Sequence, residues 1–221
     1  AYDKVINKAN AKSQAEAKAR RDVLRQLIEN KEGFGAGAQA VLSHFDAALG
    51  SLADQIRVPD EHVRAVEAAL GANLQLVLTD QSAHANDMLG HLASGEQGRA
   101  SIVALELLNE RGGAIPPSDL PAEGTPALRV VETDERNQPL LQTLLGRTVI
   151  VDSLETATQL WRGSPGRFDC VTRAGESLSR EGIFTGGGGN EPATDHHSLL
   201  ARRNQVDELE VDLSGIGEKI G

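Results

Sequence analysis

The two ends of the chain have the polar and apolar spacing of helices. Residues 2–31 contain no Gly or Pro and are rich in Ala, Lys, Arg, Glu and Gln, which favour helix. Their apolar positions become regular only near the end of the segment, at Val23, Leu24, Leu27 and Ile28. The pattern predicts one long helix that ends just before Gly33.

The C-terminal segment has a more regular apolar spacing, with steps of three and four residues. Its members are Leu199, Arg202, Val206, Leu209, Leu213, Ile216 and Ile220. This heptad seam with one polar member is typical of a coiled-coil strand. Because neither terminal helix can bury its apolar stripe alone, we expect the two to pack on each other antiparallel, with both chain ends leaving the globular middle on the same side.

Between these arms, segments with strand and helix character alternate twice. The first set is a strand over 74–79, a helix over 82–92 and a strand over 100–105. The second set is a strand over 148–151, a helix over 154–161 and a strand over 168–172. A segment rich in Gly and Pro separates the sets. The alternation predicts an α/β (α+β) fold with two subdomains.

The same pattern predicts the domain boundaries. They are an N-terminal arm at 1–32, subdomain I at 33–110, a connector at 111–126, subdomain II at 127–189 and a C-terminal arm at 190–221.

The two strand-helix-strand sets share one local signature. In each, an Asp follows the first strand and an Ala lies five residues after that Asp. The pairs are Asp80 with Ala85 and Asp152 with Ala157. We interpret this as a weak internal duplication. The two Asp residues are expected to cap the helices that follow.

Composition narrows the function classes. Aromatic residues are 3% of the chain, which argues against a protein that stacks unpaired bases on exposed rings. The net charge of -10 disfavours nucleic acid or an anionic membrane as a partner of the whole surface. No apolar run approaches the length of a membrane span, so we expect no membrane partner.

Basic residues are in surplus only at the N-terminal end, where residues 1–32 carry 8 basic and 5 acidic groups. If the arms pair, a basic patch forms near their roots and is a candidate for weak, sequence-independent DNA contact. The candidate residues are Arg20, Arg21, Arg25, Lys31, Arg202 and Arg203. An ordinary solvated charged face is the alternative.

Candidate chemistry elsewhere is sparse. Cys170 is the only cysteine, which excludes an intrachain disulfide and favours a reducing, cytoplasmic location; we expect it in the core. The six histidines, His196 and His197 among them, are expected on the surface. No Gly-Lys dipeptide is present to form a phosphate loop. We therefore expect no cofactor, no metal, no ATP binding and no catalysis in this fragment.

Several segments together resemble the hinge domain of structural maintenance of chromosomes (SMC) proteins of the bacterial type. They are GSLADQIRVPDEHVRAVEAALGANLQLVLTDQSAHANDML (50–89), GRASIVAL (98–105), LLGRTVIVDSLETATQL (144–160), VTRAGESLSREGIFTGG (171–187) and, in the arm, LLARRNQVDELEVDL (199–213). A hinge lies in the middle of its parent chain, which fits a sequence that starts Ala1-Tyr2 and has Met88 as its only methionine. We therefore expect a fragment of a longer protein.

The resemblance implies a ring-shaped, head-to-tail homodimer and an antiparallel coiled coil leading to ATPase heads, with DNA embraced by the assembled ring. In the family, a Pro-Gly-Gly and then a Thr-Gly-Gly pattern lie at the dimer contact. Here Gly182 and Thr185-Gly186-Gly187 match, whereas Arg180-Glu181 replace Pro-Gly. The implied interface is Gly182, Ile183, Phe184, Thr185, Gly186 and Gly187.

The family resemblance also implies that kleisin and the ATPase heads act only through the full-length protein, which is cytoplasmic and associated with the nucleoid. In the family, a lysine run often follows the glycines as a DNA contact. This chain has Gly-Gly-Asn-Glu-Pro at that place. The alternative function is a small α/β nucleotide-binding or enzymatic domain with helical extensions, and a solution mass distinguishes the two because the hinge has to be a dimer.

Overall fold

The computed structural model describes residues 2–110, 120–121, 123–187 and 198–218, and the side chains of 12–108, 120–121, 123–187 and 198–215. Most of the predicted connector lies outside the described residues, as do Gly188, Gly189 and the Asp195-His196-His197 segment. The chain divides into an arm unit, Ala1–Gly33 with Thr194–Gly221, and a middle unit, Phe34–Ala193. Within the described residues, no helix is both long and apolar enough to cross a membrane.

The helices are α1 (Tyr2–Glu29), α2 (Ala36–His44), α3 (Leu52–Gln55), α4 (Val63–Leu70), α5 (Ser82–Ser94), α6 (Leu105–Glu110), α7 (Gln138–Leu145), α8 (Leu154–Gly163) and α9 (Leu199–Glu218). The strands are β1 (Ile56–Arg57), β2 (Val77–Thr79), β3 (Ile102–Ala104), β4 (Thr125–Pro126), β5 (Glu132–Thr133), β6 (Thr148–Val151), β7 (Asp169–Thr172), β8 (Ser177–Leu178) and β9 (Phe184–Thr185). Short 3-10 turns lie at Asp60–His62, Gly71–Gln75, Ala127–Val130 and Glu135–Asn137.

In the arm unit, α1 and α9 pack against each other antiparallel, as predicted. Arg25 forms an ion pair with Glu210, and Arg202 reaches the carbonyl of Glu32, so the chain directions oppose. The apolar seam between the helices buries Leu24, Leu200, Val206 and Leu213. The helix α1 ends at Glu29, and the chain then turns through Lys31 and Gly33, with φ values of 52° and 95°.

Subdomain I is built on the parallel pair β2 and β3, which α5 connects. Its core contains Ala38, Val41, Val77, Met88 and Leu92. The predicted strand over 74–79 begins only at Val77, because Gly71–Gln75 forms a 3-10 turn, and Leu105, predicted to end the next strand, already starts α6. The strand-helix-strand unit itself is confirmed.

Subdomain II contains a five-stranded sheet in the order β4-β6-β7-β8-β9. Strands β6 and β7 are parallel, and the other neighbours are antiparallel. The core between α8 and the sheet consists of Val149, Val151, Ala157, Cys170 and Leu178. The strand over 148–151 matches its prediction, and β7 and α8 differ from theirs by one or two residues.

The last residues of the predicted connector belong to this sheet instead. Thr125 and Pro126 form the edge strand β4 against β6. The residue before them, Gly124, has φ +114°, and a Cβ there would lie 2.6 Å from Val149 Cγ1 and 2.7 Å from the Ile150 oxygen. Only glycine fits so close to the neighbouring strand, so the connector ends before residue 124.

The two subdomains are joined by main-chain pairing as well as by the connector. Strand β1 of subdomain I pairs antiparallel with β5 of subdomain II. Beside this pair, Thr133 Oγ1 donates to the Gln55 oxygen at 2.7 Å and Asn137 Nδ2 donates to Gln55 Oε1 at 3.4 Å. The middle unit is therefore one body, in which each subdomain contributes a strand to the shared sheet.

The helix caps differ from the prediction. Asp80 and Asp152 are exposed, and the N-cap positions are the residues after them, Gln81 and Ser153. Ser153 caps α8 by accepting from the Thr156 N–H at 3.2 Å. The capping prediction is wrong because each Asp lies one residue too early in the chain to face the free N–H groups of the first turn.

Candidate dimer interface and charged surfaces

An unpaired strand edge lies at the end of the five-stranded sheet. Strand β9 pairs with β8 through Leu178 opposite Phe184 and Ser177 opposite Thr185, and no described strand pairs with its other side. Ile183 and Phe184 are 62% and 56% exposed. Such an edge offers free N–H and C=O groups beside apolar side chains.

Glycines shape both ends of this edge. A tight turn precedes it, in which the Gly182 N–H donates to the Ser179 oxygen at 2.8 Å, and Gly182 has φ +83°. A Cβ on Gly182 would lie 3.4 Å from the Trp161 ring. At the other end, Gly187 has φ +96° and open space around it, and a Cβ on Gly186 would lie 3.3 Å from Glu176 Cγ. The structure thus brings residues 182–187 together in one exposed hairpin.

A second unpaired edge, which the sequence reasoning missed, lies in subdomain I. The Val77 N–H donates to the Ser101 oxygen, and Val77 is in register with Ile102. In a parallel pair this arrangement directs the peptide groups of Ile102 away from β2. Among the described strands none pairs with that side of β3. The sequence predicted the strand, but it carries no signal for which side of a short strand stays open.

The basic patch predicted on the arms is largely occupied by interactions within the protein. Arg202 is 3% exposed and donates to the Glu32 oxygen at 2.9 Å and to the Ser198 oxygen at 3.3 Å. Arg21 pairs with Asp22 at 2.6 Å, and Arg25 pairs with Glu210. Arg202 therefore joins α9 to the turn that follows α1 and is not a phosphate contact, which corrects the prediction for that residue. Of the remaining candidates, Arg20 is exposed, and Lys31 and Arg203 are half-buried.

The place where an α/β domain would bind a phosphate is filled by a side chain. Glu106 Oε1 accepts from the Ser82 N–H at 2.5 Å, at the N-terminus of α5. The hydrogen bonds from Ser82 hold the pKa of the Glu106 carboxyl below its ordinary value. A helix N-terminus attracts anions, and here a carboxylate of the chain itself occupies it.

The remaining reactive residues are in structural positions. Cys170 is 2% exposed, and desolvation raises the pKa of its thiol to about 11, so it is a core residue as predicted. His62 departs from the predicted surface placement, since it is 7% exposed with Nε2 3.2 Å from Glu61 Oε1. Among the described residues, no group of three or more His, Cys, Asp or Glu side chains could hold a metal ion.

Comparisons with known proteins agree on one family. The model for the SMC proteins Flexible Hinge Domain matches residues 45–161. The chain is 29% identical over 213 residues to Chromosome partition protein Smc of Myxococcus xanthus, covering 93% of this chain and 17% of that protein. It is 28% identical to the protein of the same name from Lactiplantibacillus plantarum, covering 89% and 17%. The chain thus spans about a sixth of the length of these relatives.

Solved structures show the same likeness. An asymmetric dimer of the Geobacillus stearothermophilus SMC hinge domain matches with a TM-score of 0.84 and 27% identity, over 98% of this chain and 89% of that one. The Pyrococcus furiosus SMC protein hinge domain matches with a TM-score of 0.59 and 26% identity, over 82% and 96%. The similarity to the Geobacillus structure extends over both the arm unit and the middle unit.

Proposed function

The chain belongs to the SMC hinge family, and from that premise we propose that it is a non-catalytic homodimerisation module of a chromosome partition protein. The observation that carries the proposal is the open edge of β9, with Ile183 and Phe184 exposed between left-handed glycines. The Geobacillus relative is described as a dimer of its hinge domain. In the full-length protein, which we place in the cytoplasm, the module joins two coiled coils into a ring that embraces DNA.

Strand addition is the mode of contact that this edge favours. A second chain can extend a sheet by pairing its main chain with free N–H and C=O groups. The edge of β9 lies in subdomain II, and the edge of β3 lies in subdomain I. Two copies related by a two-fold axis can pair β9 of each with β3 of the other, which leaves both edges covered in a closed dimer.

The glycines suit this contact because they keep side chains out of the approach. Gly187 adopts φ +96° with no atom within 4 Å of an added Cβ. A main chain with no Cβ allows another backbone to come close. The function of these residues is thus to shape the end of β9 for the partner copy.

The alternative, a nucleotide-binding or enzymatic domain, finds less support. Glu106 occupies the N-terminus of α5, and the thiol of Cys170 is buried with a raised pKa. The helix N-terminus is therefore not open to a phosphate, and the thiol is not placed to act as a nucleophile. ATP binding and kleisin contact belong, in this proposal, to other parts of the full-length protein.

Solution mass tests the proposal directly. Light scattering on the 221-residue chain should give twice the monomer mass of 23.4 kDa. The double variant Gly186→Ala/Gly187→Ala and the variant Phe184→Asp should both shift the mass toward the monomer. Val211→Asp is the matched control, since Val211 is 70% exposed but lies on α9, and it should remain dimeric.

Two outcomes would contradict the proposal at different levels. A monomeric wild-type chain at micromolar concentration rules out the homodimerisation module. If the Phe184→Asp variant is folded and fully dimeric, the chain is a dimer but β9 is not its contact. Circular dichroism on each variant separates loss of association from loss of fold.

A further inference from the structure

The turn at residues 179–182 leads from β8 into the exposed strand β9, and we call it the β8–β9 turn. Strand β9 is two residues long and pairs with β8 at two positions. Strands in proteins are usually about five or six residues long. Pairing with β8 therefore holds β9 weakly, and the turn has a large part in setting the direction of the edge.

The hydrogen bonds of the turn show which groups β9 can offer to a partner. The Ser179 N–H donates to the Ile183 oxygen at 2.9 Å, so the peptide groups of Ile183 face β8. Successive residues of an antiparallel strand alternate, so the N–H and C=O of Phe184 face the open edge. Hydrogen bonds weaken steeply when donor and acceptor are misaligned. A small rotation of the turn would therefore misalign both groups of Phe184.

Two side chains from other elements of subdomain II hold the turn at one residue. The Arg180 N–H donates to Asp169 Oδ1 at 2.9 Å, and Trp161 Nε1 donates to the Arg180 oxygen at 3.0 Å. Asp169 lies on β7, and Trp161 lies on α8. Neither Arg180 nor Glu181 restricts the main chain as a proline would. The turn thus depends on these contacts for its shape.

Trp161 also contacts the residue that ends the turn. Gly182 has φ +83°, and a Cβ on it would lie 3.4 Å from Trp161 Cζ2. The indole is half-buried and packs against the core between α8 and the sheet. It therefore joins the turn to that core at two places, the Arg180 oxygen and Gly182.

We propose that Trp161 and Asp169 are positioning residues for the dimer contact. Together they fix the β8–β9 turn so that Phe184 presents its N–H and C=O to the partner copy. The inference rests on the proposed function, in which β9 is the contact between two copies of the chain. It assigns to α8 and β7 a part in dimerisation, although neither forms the open edge.

The dimer dissociation constant of the full chain tests the proposal. Trp161→Phe keeps an aromatic ring but removes the N–H, so the Arg180 oxygen loses its donor. The contact occurs twice in a closed dimer, and the dissociation constant should rise at least about tenfold. Fluorescence-detected sedimentation of a dilution series, with chains labelled at the N-terminal amine, measures this constant.

Leu160→Ala is the matched control. Leu160 precedes Trp161 on α8, is also half-buried and packs against the same core, but its aliphatic side chain has no hydrogen-bonding group. This variant should unfold at a lower urea concentration than Trp161→Phe, because it loses more buried carbon, and its dissociation constant should stay within about threefold of the wild type. Unfolding is measured in the Phe184→Asp background, so that dimerisation does not contribute to stability.

The positioning role requires that affinity and stability rank these two variants in opposite order. A Trp161→Phe dissociation constant within threefold of the wild type, or an equal rise for Leu160→Ala, would overturn the proposal. If Trp161→Phe does not fold, Asp169→Ala takes its place and should raise the constant at least about fivefold, because the Arg180 N–H loses its acceptor. A folded Asp169→Ala variant with unchanged affinity would likewise overturn it.

Failure of the proposed function gives a different result. A monomeric wild-type chain, or a folded and fully dimeric Phe184→Asp variant, would contradict the proposed dimer contact and with it this inference. A dimer that Phe184→Asp disrupts but Trp161→Phe leaves intact would contradict the positioning role alone.

Discussion

The two strand-helix-strand units of the middle unit follow one local pattern and are stabilised in different ways. In each, two parallel strands are connected by a helix, β2-α5-β3 in what we call unit I and β6-α8-β7 in unit II. The first pair stands alone as a two-stranded sheet, whereas the second is the centre of a five-stranded sheet. The comparison shows that similar local sequence can produce the same unit in unlike surroundings.

The connecting helices show where the difference lies. Counting from Asp80 and Asp152, Met88 of α5 corresponds to Leu160 of α8. Met88 is fully buried, and Leu160 is half-buried. The N-terminus of α5 depends on Glu106, 24 residues away, whereas α8 is capped by its own Ser153. The helix of unit I thus takes its cap from a distant residue, and the helix of unit II takes its cap from an adjacent one.

The largest effect is expected from truncating the buried position of unit I. Met88→Ala should lower the free energy of unfolding by about 2–5 kcal/mol, because it leaves a cavity in the core. Leu160→Ala should cost about half as much, since part of that side chain already contacts water. Urea denaturation of the two variants measures both, and equal losses would contradict the difference in burial.

Removing the local cap should have a smaller effect. Ser153→Ala should cost about 1 kcal/mol, because the Thr156 N–H loses its acceptor at the start of α8. The loss should not depend on pH between 3 and 8, since a hydroxyl does not titrate there. A loss that varies with pH in thermal denaturation would show that another group caps α8.

The distant cap should instead depend on pH. The pKa of Glu106 is lowered in the folded state by its hydrogen bonds with Ser82. A lowered carboxyl pKa stabilises the protein above the unfolded value, and this stabilisation is lost as the pH falls through the folded value. The melting temperature of Glu106→Gln should therefore lie below that of the wild type at pH 7.

The difference between wild type and Glu106→Gln should shrink as the pH falls below the ordinary value of 4.5. Ser153→Ala serves as the comparison, because its difference from the wild type should stay constant over the same range. A constant difference for Glu106→Gln would show that the charge of Glu106 does not stabilise α5.

The smallest effect on stability is expected at two exposed arginines of unit II, Arg147 before β6 and Arg167 before β7. Leu76 and Ala100 lie at the same distances before β2 and β3 as Arg147 and Arg167 lie before β6 and β7, and they carry no charge. Arg147→Gln/Arg167→Gln should change the free energy of unfolding by less than about 0.5 kcal/mol per site, as exposed substitutions do. A larger loss would show that these arginines support the sheet.

Local pattern was enough to predict several elements. Residues 148–151 are a buried run of apolar and β-branched residues, and they form β6 as predicted. The absence of Gly and Pro over residues 2–31 predicted α1. Each of these depends on residues close together in the chain, for which propensity and periodicity are sufficient.

Contacts between distant residues decided the rest. The sequence by itself determined the two arms, the repeated strand-helix-strand units and the family to which they belong. Only the tertiary structure decided that Arg202 is buried against Glu32, that Glu106 caps α5, and that Arg147, Arg167 and Arg180 lie at the same end of adjacent strands. The physical reason is that strand register and helix packing bring together residues far apart in the chain, and hydrogen bonds and charges act across space without regard to that separation.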